Sequence, residues 1–348
     1  MILIMKKGMS MDDKNFLTYN QQMKKLRQDK KITCNGSVHK RILVRTGYFN
    51  LVNGYKTPFV TGVDSSGEHI YLPETSLDEL FAVKDFDDQL RSFLLRYITK
   101  VEEEVRTLTG YKLDEINDNG KVNWFDTSAY SSSVSMQQKM NTISKAYDEL
   151  SRSHLAYVKF YMTNHKTIPT WIMVKGTNFS TFINILECCD VRVKHSICKL
   201  YGMLDKNGFP SVKLLIGSLN WMRLVRNSCA HNERIYCISQ TGSNSSSGRI
   251  LERYFRLLRP GYLRDREKKV FDLFVYFKYY LPADEFQSFM TEFKSLLFKI
   301  KGTIHEQAFD NVRAQIGIKD TDDLDILVSL PKSDINYNRF DRISGMCD

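Results

Sequence analysis

The stretch from Leu219 to Tyr236 concentrates the side chains best suited to chemistry. Read as a helix at ~100° per residue, it places Leu219, Met222, Val225 and Cys229 on one apolar arc. Arg223, Asn227, His231 and Arg234 fall on a second arc, at spacings of four, four and three, and form a polar stripe with one titratable imidazole. Arg226 does not join that stripe. It falls within the apolar arc, where a guanidinium requires either a carboxylate partner or an anionic ligand. An imidazole, titrating near ~6.5 when unperturbed, can move a proton at neutral pH. The plain alternative is structural: Arg226 as an anchor to a carboxylate between helices, and His231 as a helix-end cap.

These residues need partners from elsewhere in the chain. The sequence Ser76-Leu77-Asp78-Glu79 has the form of a capping box, in which the hydroxyl and the carboxylate satisfy each other's backbone amides. It opens a predicted helix to about Leu113, along which Phe86, Leu90, Phe93, Leu94, Tyr97, Ile98, Val101, Val105 and Leu108 recur at helical spacing. On that helix Glu102 follows Ile98 by four and turns inward, while Glu103 and Glu104 turn outward. Glu102 can therefore pair with Arg226, or be one member of a solvated acidic run.

Ahead of this helix, residues 12–31 and 37–53 read as helical, with Asn53-Gly54 as a stop. The runs 58–63 and 69–72 flank Asp64-Ser65-Ser66-Gly67 and predict a small β-hairpin. Residues 115–135 read as a polar loop. Further helices are predicted at 136–164, 178–189, 191–204, 210–236, 249–258, 266–281, 283–301 and 304–316. The expected class is mainly α. The expected organisation is a helical and hairpin region at 12–75, a helical core at 76–238, a flexible linker at 239–248, a helical region at 249–330 and a tail at 331–348.

A formal net charge of +10 over 348 residues favours polyanionic partners. The basic residues gather in two places. Lys40, Arg41 and Arg45 form one cluster; Arg253, Arg256, Arg259 and Arg264 form a denser one, interleaved with Tyr254, Phe255 and Tyr262, which could stack on bases. Either cluster could equally be a solvated helical face. The N-terminus has no apolar core long enough for a signal peptide, and no segment approaches the ~18 apolar residues of a membrane helix. Of the seven cysteines none forms a CxxC pair, and Cys188, Cys189, His195 and Cys198 match no common zinc spacing, so reduced core thiols and a cytoplasmic location are expected. No metal or cofactor is expected.

Arg226-Asn227-Ser228-Cys229-Ala230-His231 resembles the R-N-x-x-x-H motif of HEPN ribonucleases, and it is the single R-x4-H in the chain. Four other blocks, in the same order, resemble the AbiD/AbiF-like abortive-infection family of that superfamily, nearer AbiF. They are Leu17 to Gln22; Gly47 to Tyr55 followed by Pro58-Phe59; Phe86-Asp87 with Leu90-Arg91, Ile98, Glu102 and Arg106; and Pro169-Thr170-Trp171 with Phe179. The similarity spans about residues 17–240.

The resemblance implies a HEPN-type helical bundle with a C-terminal helical extension. It also implies a toxin-like, metal-independent RNA endonuclease acting in phage defence. In that chemistry the ribose 2′-hydroxyl attacks its own phosphate, leaving a 2′,3′-cyclic phosphate and a 5′-hydroxyl. His231 would transfer the proton, Arg226 would stabilise the phosphorane oxygens, Asn227 would orient the imidazole or the phosphate, and Glu102 would hold Arg226. RNA contacts would come from Arg223 and Arg234 and from the two basic clusters. Arg and His five residues apart sit roughly 140° apart around a helix, so a homodimer would be needed to surround one phosphate. RNA would be both substrate and a non-coding antitoxin. The alternatives are a non-catalytic RNA-binding module, a structural adaptor, or a transferase; the last lacks any G-S-x9-D-x-D or P-loop signature.

Overall fold

The computed structural model describes residues 16–205, 207–240 and 267–330. The chain is mainly helical, with one two-stranded antiparallel sheet among the described residues. It divides into two compact units, one running to Asp85 and including Ile300–Phe309, the other comprising Phe86–Lys299 and the described residues from Asp310.

The first unit opens with α1 (Tyr19–Gln28), whose N-cap Thr18 forms a capping box with Gln21. Helix α2 follows (Gly36–Thr46). The single helix expected over 37–53 is broken at Gly47, which adopts φ +74°, and a π-helical turn then covers Phe49–Asn53. The predicted hairpin forms from β1 (Val60–Val63) and β2 (His69–Tyr71). Its register pairs Val60 with Tyr71 and Val63 with His69, with a bulge between Val60 and Gly62. In its turn the Asp64 carboxylate accepts from the amides of Ser66 (2.8 Å) and Glu68 (2.9 Å), and Gly67 takes φ +87°, a conformation that glycine alone adopts without a steric cost.

Helix α3 (Leu77–Ile116) begins where the capping box placed it: the Glu79 amide donates to Ser76 Oγ at 3.2 Å, and the Ser76 amide to the Glu79 carboxylate at 2.8 Å. From Phe86 onward α3 belongs to the second unit. There Phe93 and Tyr97 meet Phe277 and Phe289 of α10 (Val270–Tyr280) and α11 (Ala283–Lys301), with ring centroids about 5–6 Å apart. Every residue of α10 is buried. Its one lysine, Lys278, is satisfied by the carbonyl of Val328 at 2.9 Å, at the end of α13 (Asp322–Ser329), beyond α12 (Glu306–Ile316).

The stretch 136–164 is two helices, α4 (Met136–Ser151) and α5 (Ala156–Asn164). Helix α6 (Thr170–Gly176) was not expected; it starts directly after Pro169. Helices α7 (Phe179–Cys188), α8 (Val191–Tyr201) and α9 (Val212–Ala230) are the other described helices of the unit. Cys188, Cys189 and Cys198 are buried, unbridged thiols. No described helix is long and apolar enough to cross a membrane.

Candidate functional site

Helix α9 stops at Ala230, so His231 is its C-cap rather than a residue within it. The stop is a Schellman motif: the Glu233 amide donates to the Ser228 carbonyl (2.9 Å) and the Asn232 amide to the Cys229 carbonyl (3.3 Å). Asn232 supplies the left-handed residue that this motif requires, at φ +55°. Asparagine tolerates that conformation better than most residues, so Asn232 was the signal in the sequence that marked the helix end. The polar arc therefore runs through Arg223 and Asn227 to His231 and does not reach Arg234, which lies on the irregular segment beyond.

That segment is held by a buried clamp. Asp87 on α3, with no exposed side-chain surface, accepts from the amides of Ile235 (3.0 Å) and Tyr236 (2.8 Å) and from Arg91 Nη1 (2.8 Å). Arg91 also donates to the Glu233 carbonyl at 3.2 Å. The chain leaving His231 is thus tied at three points to residues about 145 positions earlier. Sequence reading assigned Asp87 and Arg91 no role; their i,i+4 spacing was the available signal.

The His231 side chain is exposed, and among the described residues no group hydrogen-bonds its imidazole. Arg226 departs from the expectation of an apolar setting. Its side chain is 40% exposed, its Nε lies 3.9 Å from Glu102, and its Nη1 donates to the Asn227 amide oxygen at 3.3 Å. The Asn227 side chain thus engages the guanidinium, and its backbone carbonyl accepts from the His231 amide (3.0 Å).

Glu102 does turn inward, at 12% exposure, with Glu103 and Glu104 exposed. Its closer partner is Arg106, which donates from Nη2 at 2.6 Å and from Nε at 3.0 Å. Arg106 is buried, donates to the Val174 carbonyl and faces the ring of Phe182 at 4.7 Å. Burial lowers its pKa, and Glu102 opposes that shift. One carboxylate therefore serves two guanidinium groups, leaving about one uncompensated positive charge, and the accessible cation is Arg226.

Arg226 closes one end of a groove of about 850 Å3 that follows α3 from Thr99, extends past its end to Asn119 and is walled by α6. Gly110 lets the two helices come together: a Cβ there would lie 3.2 Å from Val174 and 3.8 Å from the Trp171 Cα. Toward the far end, burial raises the pKa of Asp114 while the Thr170 hydroxyl, 2.5 Å away, works against the shift.

Of the other predicted RNA contacts, Arg223 is partly buried on α9 and Arg234 is exposed. Lys40, Arg41 and Arg45 are exposed along α2, in the other unit. Arg253, Arg256, Arg259 and Arg264 lie outside the described residues, as do the linker from Thr241 and the tail from Pro331. Among the described residues no three His, Cys, Asp or Glu side chains gather as metal ligands would.

Residues 41–237 match the family described as Abi-like protein, a span that contains α3, α6, α9 and His231. No curated protein and no solved structure matches the chain.

Proposed function

Because the chain belongs to the Abi-like protein family, which supports a role in abortive infection, we propose that it is an AbiF-like HEPN endoribonuclease that cleaves RNA without a metal. The observation that carries this reading is the unequal sharing of Glu102. Arg106 takes the carboxylate, and Arg226 keeps an accessible, undercompensated charge five residues before the C-cap His231. A planar guanidinium in that state is suited to two phosphate oxygens.

In the proposed reaction an imidazole takes the proton of the 2′-hydroxyl, O2′ bonds to phosphorus and the P–O5′ bond breaks. The departing O5′ receives a proton, and the products are a 2′,3′-cyclic phosphate and a 5′-hydroxyl. Arg226 neutralises charge on the equatorial oxygens. The reaction needs both a base and an acid, and one chain offers one such histidine on an otherwise unsupported ring. A second copy of the chain would supply the other, so the active species is a homodimer. A small structured RNA would restrain it between infections.

The unsupported imidazole also fits a non-catalytic RNA-binding module, and one experiment separates the two. Purified wild-type protein, His231→Ala and Arg226→Ala are incubated with a labelled RNA, with and without EDTA. The expected result is cleavage by wild type in EDTA, with cyclic-phosphate ends, and a loss of at least 100-fold in both variants. Cleavage by folded His231→Ala at the wild-type rate refutes the assignment. Loss on chelation with rescue by magnesium or manganese indicates a metal-dependent nuclease instead. RNA binding without cleavage by any form leaves the binding module.

A further inference from the structure

The groove that ends at Arg226 carries more than a phosphate site. Its outer edge presents two large aromatic side chains to solvent, Tyr111 at 64% exposure and Trp171 at 58%. They stand on different helices, α3 and α6, brought together at Gly110. Isolated exposed aromatics are ordinary surface features, but here both line the same cavity as a cation. Lys175, one turn after Trp171 on α6, adds a second exposed cation.

Four carboxylates share the lining. Glu102 is taken by Arg106 and Glu115 is paired with Lys112 at 2.7 Å. Asp114, which accepts from the Thr170 hydroxyl, and the exposed Glu103 stand beside the cations Arg226 and Lys175. Stacking rather than net charge must then supply most of the affinity.

We propose that this groove is a nucleobase subsite for single-stranded RNA: Trp171 and Tyr111 stack on bases adjoining the scissile phosphate, with Arg226 and Lys175 taking the backbone. The inference rests on the reading of Arg226 as a phosphate ligand. Its physical basis is two exposed π faces and two cations lining one channel, a combination that binds single strands with little dependence on sequence. From Glu102 to Asp114 the helix rises roughly 18 Å, which accommodates several bases at a stacked spacing of ~3.4 Å. A duplex buries its base faces and cannot use such a platform. The polar groups at the far end, Asp114 and Asn119, offer acceptors to base N–H groups.

The protein contains its own probe. Of its three tryptophans, Trp124 and Trp221 are 1% exposed, so a change in indole emission on adding a ligand reports Trp171. Full-length His231→Ala protein is titrated with octa-adenylate and with an abasic oligoribonucleotide of equal length, in the presence of EDTA. Octa-adenylate is expected to quench the emission, and the abasic strand is not. Trp171→Ala should bind octa-adenylate about tenfold more weakly, and Trp171→Phe should restore the affinity while abolishing the signal. Tyr111→Ala, at a position equally open to solvent, should weaken binding in the same direction.

In the cleaving protein, Trp171→Ala should raise KM for a single-stranded substrate and leave kcat near wild type. Unchanged emission with octa-adenylate, or equal affinity of Trp171→Ala and wild type, overturns the subsite and leaves the groove to a protein partner. Failure of the wild-type protein to cleave RNA, with quenching of Trp171 emission by octa-adenylate retained, would refute the nuclease reading and leave the subsite standing, so the two failures are separable.

Discussion

Removing Glu102 and removing Arg226 should have unequal consequences for stability, although the two groups face each other. Arg226→Ala leaves Glu102 with its closer partner, Arg106, so no buried charge is stranded. A pair 3.9 Å apart whose guanidinium is 40% exposed contributes less than about 1 kcal/mol. Glu102→Ala strands the buried Arg106 guanidinium and should cost roughly 3 kcal/mol. Urea denaturation of both variants checks this: a large loss in Arg226→Ala would mean that the guanidinium is structural after all. A second expectation concerns Cys229, inside the motif between Arg226 and His231. Burial pushes its thiol up to about 12, so at neutral pH it is essentially all thiol and no nucleophile. Cys229→Ala should cleave RNA as wild type does, and iodoacetamide should modify Cys229 in the native protein far more slowly than in urea. Rapid native modification with loss of activity would reopen the role of that residue.

At the scale of elements, the position of His231 depends on how α9 ends. Replacing Asn232 with glycine keeps the left-handed cap. Replacing it with valine places a β-branched side chain in that conformation, at a cost of about 1–2 kcal/mol, and should unwind the link to the Asp87 clamp. Asn232→Gly is therefore expected to match wild type in Tm and cleavage, and Asn232→Val to lose both; equal behaviour of the two variants would show that the cap does not position the imidazole. This ending also marks the limit of what the sequence discloses. The hairpin turn and the start of α3 were legible because their determinants are local: Asp64 and Gly67 in one case, Ser76 and Glu79 in the other. The end of α9 was read six residues too late, because part of its cause is a carboxylate on α3. Helix α6 escaped notice because seven residues after Pro169 give too little periodicity to recognise. In the candidate site, the inward turn of Glu102 followed from its helical phase, whereas its preference for Arg106 did not. Trp171 belonged to a family-like block without acquiring a role, since the groove exists only when α3, α6 and α9 are assembled.

At the scale of the whole molecule, the charge exceeds what one scissile phosphate can use. Arg226 and Lys175 account for two cations at the groove, against a net +10 for the chain. A restraining RNA gives the excess a purpose, and counterion release makes that idea measurable. If such an RNA contacts five cations as a single strand, the logarithm of its affinity should fall with the logarithm of salt at a slope of about −3.5. Affinity would then drop by roughly two orders of magnitude between 50 and 200 mM salt. The dense cluster at Arg256, Arg259 and Arg264 is the natural source of several contacts. It lies outside the family match and away in sequence from the groove residues. Replacing all three with alanine should make the slope shallower by about 2 and release co-purifying RNA, while cleavage of a short single-stranded substrate stays within a few-fold of wild type. That split is the informative feature. A triple variant that loses short-substrate cleavage in proportion to RNA retention would place these arginines at the site of chemistry. A wild-type protein that purifies free of RNA and shows no salt-dependent binding to RNA from its own locus would eliminate the restraining partner, leaving dimer assembly as the means of control.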